Sequence, residues 1–243
     1  IYTDKYSEHL RKKINKSISI KVLQTDELFK TSDVDIKQQF VDNFFNISRK
    51  IKTKSLKYYK DKNILITGAG GSIGKNLFFE LLNSKPKKII LVDQDELKLF
   101  NLKREFENIK LKNLYDFQVL FKLGNLSNKF FLNNIFAENK KINVVLHAAA
   151  YKHVGFGEQN LLSFLKNNVF VTYDLAELSI KKKVNKFIFI STDKAVNPST
   201  LMGKSKLAAE NIVRKANKKN SNKTFHVIRF GNVIGSRGSV LEV

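Results

Sequence analysis

From residue 62 onward, short apolar runs alternate with longer segments in which apolar residues recur at helical spacing. The runs are rich in β-branched and aromatic residues, as strands are; we assign strands to residues 63–67, 88–93, 117–123, 143–148, 187–192 and 225–230. Helices are expected over residues 72–82, 96–108, 127–139, 161–181 and 202–216. This alternation predicts the α/β class, with a Rossmann-type, doubly wound parallel sheet and helices on both faces.

The first 60 residues have a different pattern, since they are polar, rich in lysine and free of glycine. Val41, Phe44, Phe45 and Ile47 are spaced as on the apolar face of one amphipathic helix. We therefore predict a helical linker or docking segment over residues 1–60 and one sheet-containing domain over residues 61–243.

Composition narrows the class of protein. The sequence has no apolar run of about eighteen residues and no amino-terminal signal pattern. It contains no cysteine, and its four histidines are scattered, which leaves neither a thiolate nucleophile nor the ligand spacing of a metal site. We expect a cytoplasmic protein without a metal.

The formal net charge of +22 requires an anionic partner to be considered. A basic nucleic-acid-binding protein is one alternative, because dense lysine and arginine surfaces neutralise phosphates. The excess is nearly all lysine, however, and it is spread along the chain instead of being gathered in an arginine-rich helix. We expect no nucleic-acid partner; the charge would also attract anionic ligands or an anionic membrane surface.

A glycine-rich turn directly follows the first predicted strand. Residues 67–74 read TGAGGSIG, with glycines 68, 71 and 74 at the G-x-x-G-x-x-G spacing. In a dinucleotide-binding turn these glycines permit a tight turn, admit a pyrophosphate close to the backbone and let the helix pack on the strand. The predicted cofactor-binding residues of this turn are Gly68, Gly70, Gly71, Ser72, Ile73 and Gly74.

The second predicted strand ends in a carboxylate, Asp93, about twenty residues after the glycine turn. At this position an aspartate can accept both hydroxyls of the adenosine ribose, which favours NAD. No arginine follows closely to receive the 2′-phosphate of NADP, although Lys98 could do so. NAD is the expected cofactor and NADP the alternative.

Four blocks of sequence resemble one family. They are TGAGGSIG at 67–74, HAAAYKHV at 147–154, STDKAVNPSTLMGKSK at 191–206 and RFGNVIGSRGSV at 229–240. From residue 62 to residue 243 the chain resembles the extended short-chain dehydrogenase/reductases and, within them, the CapD-like polysaccharide-biosynthesis dehydratases. The resemblance implies an NAD(P)-dependent lyase, a 4,6-dehydratase that acts on a UDP-N-acetylhexosamine such as UDP-N-acetylglucosamine during bacterial surface-polysaccharide synthesis.

The resemblance also implies a reaction and its catalytic groups. These dehydratases oxidise the sugar at C4 by hydride transfer to NAD(P)+, eliminate water across C5 and C6, and return the hydride to C6. By similarity Lys194 removes the C5 proton, Asp193 protonates the departing C6 hydroxyl, and Thr192 lies beside them. To act as a base near neutral pH, Lys194 needs a lowered pKa, which we expect burial and the nearby Lys206 to supply.

Met202 departs from the usual Tyr-x-x-x-Lys pattern of the superfamily, in which tyrosine accepts the proton of the C4 hydroxyl. Methionine cannot accept a proton, and the chain resembles a branch of the dehydratases that carries methionine here. Lys206, Lys194 or a water held by Thr192 must then take the C4 proton. Lys206 is also expected to hold the nicotinamide ribose.

The resemblance assigns further residues to the cofactor and the sugar. Small residues after the fourth strand would let the cofactor lie close to the backbone, and the residues expected at the cofactor are His147, Ala148, Ala149, Ala150, Asn168, Asn125 and Leu126. Those expected at the substrate are Tyr151, Lys152, His153, Asn232 and Arg237. Residues 155–158 read GFGE where the family usually has Pro-Leu-Met-Glu, which changes the expected shape of the sugar pocket.

Two other functions stay open from the sequence. A UDP-sugar 4-epimerase or reductase of the same superfamily needs no acid at C6, and a non-catalytic dinucleotide-binding scaffold needs neither Asp193 nor Lys194. The chain begins without methionine and stops shortly after the sixth strand, so we expect a fragment that lacks the carboxyl-terminal substrate region and turns over poorly. We also expect a homo-oligomer through the helices near 161–181 and 202–216, and membrane anchoring at the cytoplasmic face of the inner membrane through an upstream segment.

Overall fold

The computed structural model describes residues 56–111, 115–139, 141–219, 224–231 and 233. The predicted linker over residues 1–60 falls almost entirely outside this part, as do the predicted sugar-binding residues Asn232 and Arg237, and these stay predictions. The described chain enters the domain through a 3-10 turn, Lys57–Tyr59, which precedes the first strand.

Six parallel strands form one sheet in the order β3-β2-β1-β4-β5-β6. They are β1 Asn63–Thr67, β2 Lys88–Asp93, β3 Gln118–Leu123, β4 Val144–His147, β5 Lys186–Thr192 and β6 Thr224–Phe230. The predicted doubly wound Rossmann-type sheet is confirmed. Because all strands point the same way, the turns that follow them lie along one border of the sheet, which we call the carboxyl edge. The turns that precede the strands lie along the opposite border, which we call the amino edge. Ligands of such folds bind at the carboxyl edge, where the strand order reverses between β1 and β4.

Helices connect the strands and cover both faces of the sheet. They are α1 Ser72–Leu82, α2 Glu96–Lys110, α3 Lys129–Glu138, α4 Val154–Gln159, α5 Leu161–Phe164, α6 Val171–Lys181 and α7 Leu201–Lys218. Successive strand residues point to opposite faces, so Ile64 packs in one apolar layer with Phe78 of α1, while Leu65 packs in the other with Leu175 of α6. The sheet is therefore buried on both faces, as the continuous apolar runs predict.

Side-chain caps fix where three helices begin. Asp95 accepts the backbone N–H of Lys98 at the start of α2, and Asn128 accepts two backbone N–H groups at the start of α3. Thr200 accepts the N–H of Gly203 at the start of α7. Each cap contributes about 1 kcal/mol by satisfying a donor that the helix itself leaves unpaired.

The predicted helix over residues 161–181 is interrupted by a π-helical segment, Leu165–Phe170, between α5 and α6. At its end the N–H of Val171 donates to the carbonyl of Lys166, five residues earlier. Helix α4 was not predicted, because Gly155 and Gly157 lower its helix propensity. The other predicted helices and strands agree with the structure to within about two residues at each end.

Apolar residues of this helical region are divided between the core and the surface. Phe164 and Leu175 are buried within the domain, so they are not available for the predicted oligomer contact. Leu161, Phe170 and Tyr173 are each about half exposed. Leu162 is 71% exposed, so the oligomer prediction depends on these four exposed residues and not on the apolar count of the whole region.

Candidate active site

The glycine turn packs tightly against the segment after β4. Gly68 has a φ of +67°, which favours glycine, and a Cβ on it would lie 2.6 Å from the backbone nitrogen of Ala149. A Cβ on Gly74 would collide with the carbonyl oxygen of Gly68. The first and third glycines thus have the turn and packing roles that their spacing predicts.

The second glycine stands at a more open position. Gly71 is the N-cap of α1 and provides no side-chain cap for it; a Cβ there would approach only the Gly68 carbonyl oxygen, at 3.2 Å. The backbone N–H groups of Ser72 and Ile73 lie in the first turn of this helix, where the helix dipole favours an anion. The turn therefore fits a dinucleotide pyrophosphate at the carboxyl edge.

Asp93 lies between the glycine turn and the start of α2. Its Oδ2 accepts the backbone N–H of Gly70 at 2.8 Å, and its Oδ1 accepts that of Asp95 at 3.0 Å. Each carboxylate oxygen has a second lone pair for a ribose hydroxyl. Lys98, the candidate partner for a 2′-phosphate, lies 2.5 Å from Asp95 in the ligand-free protein.

The two residues expected at the adenine differ in their surroundings. Asn125 is exposed after β3, and its Oδ1 accepts the N–H of Ser127 at 2.8 Å, which shapes the turn. Leu126 is 7% exposed and packs in the core. Asn125 can thus offer the remaining lone pair of Oδ1 and the two N–H donors of Nδ2, whereas buried Leu126 can offer its backbone.

His147 ends β4, but its side chain points into the protein and is fully buried. Its Nε2 lies 3.0 Å from Thr172 Oγ1, and that hydroxyl donates to the carbonyl of Asn168, so Nε2 must donate. Nδ1 then accepts the hydroxyl of Thr67 at 2.7 Å. Burial, aided by Lys206, lowers the pKa of His147 to about 3, and the neutral ring ties β1 to α6 beneath the cofactor turn.

Asn168 lies in the π-helical segment and is 1% exposed. Its amide forms two bonds with the backbone of Tyr151: Oδ1 accepts the N–H at 2.8 Å, and Nδ2 donates to the carbonyl oxygen at 3.0 Å. Nδ2 also donates to Ser205 Oγ on α7 at 3.0 Å. Asn168 therefore holds the segment after β4 in place against α7, and its side-chain amide faces the protein.

The segment after β4 is open to solvent beyond the alanines. Ala148, Ala149 and Ala150 are half-buried, while Lys152 and His153 are exposed. Tyr151 is 36% exposed, and its hydroxyl lies 3.3 Å from Gln94 Nε2 after β2. The predicted substrate residues of this segment thus present their side chains at the carboxyl edge.

Thr192, Asp193 and Lys194 lie where β5 ends and a 3-10 turn begins. The hydroxyl of Thr192 donates to Asp193 Oδ1 at 2.9 Å, and Lys194 Nζ lies 3.8 Å from the same oxygen. The hydroxyl bond, followed by the lysine charge, keeps the pKa of Asp193 below its usual value. Both charged side chains are about half exposed, so the predicted acid is a carboxylate in the ligand-free protein.

Lys206, and not Lys194, is the buried lysine of the site. It is 5% exposed, its Nζ donates to the carbonyl of Ile190 at 2.6 Å, and the same Nζ lies 4.0 Å from the ring centroid of Phe189. Burial lowers the pKa of Lys206 to about 7. Met202, one helical turn earlier on α7, is also buried. The expectation that burial acts on Lys194 is wrong, because the end of β5 is exposed while α7 covers Lys206.

A buried carboxylate that the sequence analysis missed joins α7 to β5 and β6. Glu210 is fully buried, and its Oε1 accepts the hydroxyl of Ser191 at 2.7 Å. Arg229 donates to both carboxylate oxygens, at 2.8 and 2.7 Å, and Arg214 adds a third cationic contact at 2.9 Å. Ser191 directly precedes Thr192, so this cluster fixes the end of β5. The sequence did contain a signal for Glu210, because this residue follows Lys206 by four positions and therefore lies on the same face of the helix.

We predict that Gly71→Ala weakens NAD binding at least tenfold while changing the melting temperature little. The free protein accommodates this Cβ with a shift of a few tenths of an ångström, but the methyl group occupies space where a pyrophosphate must approach the backbone. Calorimetric titration with NAD measures the loss. Gly155→Ala is the matched control, because a Cβ there meets nothing within 4 Å; equal affinities for the two variants would contradict the assignment.

Comparison with known proteins identifies the family. A family model described as a polysaccharide biosynthesis protein matches residues 64–243. An uncharacterized membrane protein of Methanocaldococcus jannaschii is 44% identical over 76% of this chain and 53% of its own length. The capsular polysaccharide biosynthesis protein CapD of Staphylococcus aureus is 40% identical over 75% and 30%. The UDP-N-acetylglucosamine 4,6-dehydratase (inverting) of Campylobacter jejuni is 38% identical over 75% and 52%.

Epimerases and solved structures complete the comparison. A UDP-glucose 4-epimerase of Rickettsia rickettsii is 35% identical over 76% of this chain and 53% of its own length. The crystal structure of Pen from Bacillus thuringiensis superposes with a TM-score of 0.68 at 36% identity, over 76% of this chain and 56% of that one. The chain thus spans about half the length, or less, of the relatives that it matches.

Proposed function

This chain belongs to the polysaccharide biosynthesis protein family, and on that premise we propose that it is the dinucleotide-binding part of a nucleotide-sugar 4,6-dehydratase. The observation that carries the proposal is the group at the end of β5, where the Asp193–Lys194 pair follows a strand whose Ile190 carbonyl binds the buried Lys206, at the same edge as the glycine turn. The Campylobacter jejuni relative that bears this activity supports UDP-N-acetylglucosamine as the substrate.

The cofactor that fits the turn is NAD. The glycine positions leave no room for a Cβ at Gly68 and Gly74, and Asp93 presents its carboxylate where an adenosine ribose would lie. When bound, NAD would supply a hydride acceptor for oxidation of the sugar at C4 and, once reduced, a hydride donor for reduction at C6. The chain's own contribution is the close backbone packing of the turn and the Asp93 carboxylate, whose negative charge would repel a 2′-phosphate.

Lys206 is our proposed acceptor of the C4 hydroxyl proton. Its pKa of about 7 leaves a large fraction of the ammonium deprotonated near neutral pH, and a neutral amine can take a proton whereas Met202 cannot. The burial that lowers this pKa is the contribution of α7, which holds Lys206 against β5. A base whose pKa lies near the working pH is the most effective.

Lys194 and Asp193 are the proposed base at C5 and acid at C6. In the ligand-free protein Asp193 is held as a carboxylate by Thr192, so an acid role requires the bound sugar to cover it. Loss of water around a carboxyl group raises its pKa, and the half-exposed position at the end of β5 is one that a ligand can cover.

Location and assembly are further proposals. Among the residues that the structure describes, no helix has the length and apolar character needed to cross a membrane. The relative from Methanocaldococcus jannaschii is named a membrane protein, which supports our proposal that the enzyme works at the cytoplasmic face of a membrane. Exposed apolar residues of the 161–181 region, such as Phe170 and Tyr173, support a homo-oligomer.

A UDP-sugar 4-epimerase is the second candidate, because the Rickettsia rickettsii relative carries that name. An epimerase oxidises and reduces the sugar at C4 and needs no acid at C6, so the Asp193–Lys194 pair favours the dehydratase. A non-catalytic scaffold would need neither group. The two enzymes give products that differ at C6, which makes the product decisive.

The test is to incubate the natural protein with UDP-N-acetylglucosamine and NAD and to follow the sugar by NMR. We expect a 4-keto-6-deoxy product, recognised by a new C6 methyl signal. UDP-N-acetylgalactosamine without a methyl signal would assign an epimerase instead. Unchanged substrate together with tight NAD binding would favour the scaffold.

A further inference from the structure

Lysines are concentrated at the amino edge of the sheet. The turn before β1, residues 57–62, reads KYYKDK; the turn before β2, residues 83–88, reads NSKPKK; and the turn before β5, residues 181–186, reads KKKVNK. The end of α7, residues 215–219, reads KANKK at the same edge. These four segments therefore bring positive charge to one border of the domain, whereas the connection between α2 and β3 holds Asp116 among its described residues.

The carboxyl edge of the same domain is nearly free of lysine. Among its described turns, residues 68–71 read GAGG and residues 124–128 read GNLSN. The segments 148–153 and 193–200 hold one lysine each, and the second of these also holds Asp193. A general excess of lysine in the composition would load both edges equally, so the contrast needs another explanation.

The lysines of the amino edge are mostly not neutralised by neighbours. Lys60, Lys87 and Lys182 are exposed, and within the described part of the chain none of them has a carboxylate within 4 Å. Lysines on the helix faces behave differently; for example, Lys75 pairs with Glu105 at 2.7 Å. The amino edge thus carries net positive charge.

Attraction of the anionic cofactor and sugar does not explain this edge. A strand of six residues is about 20 Å long, whereas charges in solution are screened over about 8 Å at physiological salt. The lysines therefore stand more than two screening lengths from the carboxyl edge. They lie at the border of the sheet that a ligand of the glycine turn does not reach.

Helix dipoles explain only part of the pattern. The partial negative charge at a helix carboxyl end favours lysine, which accounts for Lys181 and Lys218 in the last turns of α6 and α7. That effect falls off beyond the last helical turn, and Lys85 and Lys87 lie three and five residues past the end of α1. A surface that binds an anionic partner accounts for all of these residues together.

We propose that the amino edge docks on an anionic lipid bilayer. Six strands about 4.8 Å apart give a border roughly 24 Å wide, which suits a flat, extended surface. The described turns of this edge contain lysine and no arginine. Lysine is a compact point charge suited to dispersed headgroups, whereas nucleic-acid binding favours the planar arginine fork. This docking would leave the carboxyl edge facing away from the membrane, and it does not depend on the proposed reaction.

The test compares two triple variants of the 243-residue chain that lose the same charge. One carries Lys60→Gln, Lys87→Gln and Lys182→Gln at the amino edge; the control carries three exposed replacements elsewhere, at Lys103, Lys129 and Lys166. Sedimentation with phosphatidylcholine vesicles, with and without about 30% phosphatidylserine, measures partitioning at physiological salt. Thermal melts of both variants verify that the fold is retained.

We expect the wild-type chain to bind only the vesicles that contain phosphatidylserine. The amino-edge variant should lose about a hundredfold in partitioning, since each lysine at an anionic surface contributes about fivefold, and the control variant should lose less than about threefold. Equal losses in the two variants would overturn the proposal, because lysines anywhere on the surface would then contribute equally to vesicle binding. Absence of vesicle binding by the wild-type chain would overturn it directly. If the same three lysines instead bound duplex or single-stranded DNA more tightly than the vesicles, the proposal would be overturned and the partner of this edge would be a nucleic acid.

Discussion

Replacement of Lys206 by methionine is expected to stabilise the free protein at neutral pH and to stop its reaction. Burial lowers the pKa of Lys206 from 10.5 to about 7, so at pH 7 the folded state holds this proton less tightly than the unfolded chain does. That difference disfavours folding by roughly 4 kcal/mol. Methionine fills similar space without charge but loses the bond to the Ile190 carbonyl and the cation–π contact with Phe189, which leaves a net gain of about 2 kcal/mol.

The pH dependence has a definite sign. Between pH 7 and 10.5 the unfolded chain binds more protons at residue 206 than the folded protein does, so wild-type stability rises with pH across this window. The variant lacks that contribution. The advantage of Lys206→Met should therefore be largest near pH 7, shrink as the pH rises, and vanish or reverse near pH 10.

Urea unfolding of both proteins at several pH values measures the difference. Catalysis in the natural protein should fall at least a hundredfold, because a positioned base is lost. Lys204→Met is the matched control, since Lys204 lies on the same helix but is exposed. A variant at 206 that is less stable than wild type at pH 7 would contradict the buried, weakly basic lysine, and full activity would remove its proposed role.

The second large effect is expected at the end of β5. Asp193→Asn and Lys194→Ala should each lower dehydration by about two to four powers of ten, because elimination across C5 and C6 needs both an acid and a base. Cofactor binding should change little, since neither side chain belongs to the glycine turn. The loss should appear in kcat more than in KM if the groups act on the reacting atoms.

A closely matched ion pair provides the control. Lys103 and Glu107 on α2 lie 3.7 Å apart and are about half exposed, as Lys194 and Asp193 are at 3.8 Å. Lys103→Ala and Glu107→Gln therefore remove an equivalent surface pair that contributes little to stability. Wild-type activity of Lys194→Ala would refute the base assignment and make Lys152 and His153, which are exposed at the same edge, the next candidates.

The sheet could be predicted from the sequence because its signals are local. Strands such as 63–67 and 88–93 are continuous apolar runs, and burial on both faces requires that pattern. The glycine turn could also be predicted from the sequence, because the positive φ at residue 68 and the close packing at residue 74 admit only glycine at these two positions. The sequence signal for each of these features lies within fewer than about fifteen neighbouring residues.

The electrostatics of the site could not be predicted in the same way, because they depend on contacts between distant segments. Lys194 and Lys206 are both lysines near predicted strand or helix ends, and only the packing of α7 on β5 decides which one is buried. The bonds of His147 to Thr67 and Thr172 connect residues that are 80 and 25 positions away. The resemblance suggested which residues matter, but not which way their side chains point.

The π-helical segment Leu165–Phe170 sets the rotational phase of the whole helical region. The one extra residue that this single π-turn contains rotates everything on one side of it by about 100° relative to an unbroken α-helix. Asn168 meets the backbone of Tyr151 and the hydroxyl of Ser205 only in the present phase. Deletion of a single residue here would restore a regular helix and turn that amide away. The length of this segment is therefore as much a part of the site as the identity of its asparagine.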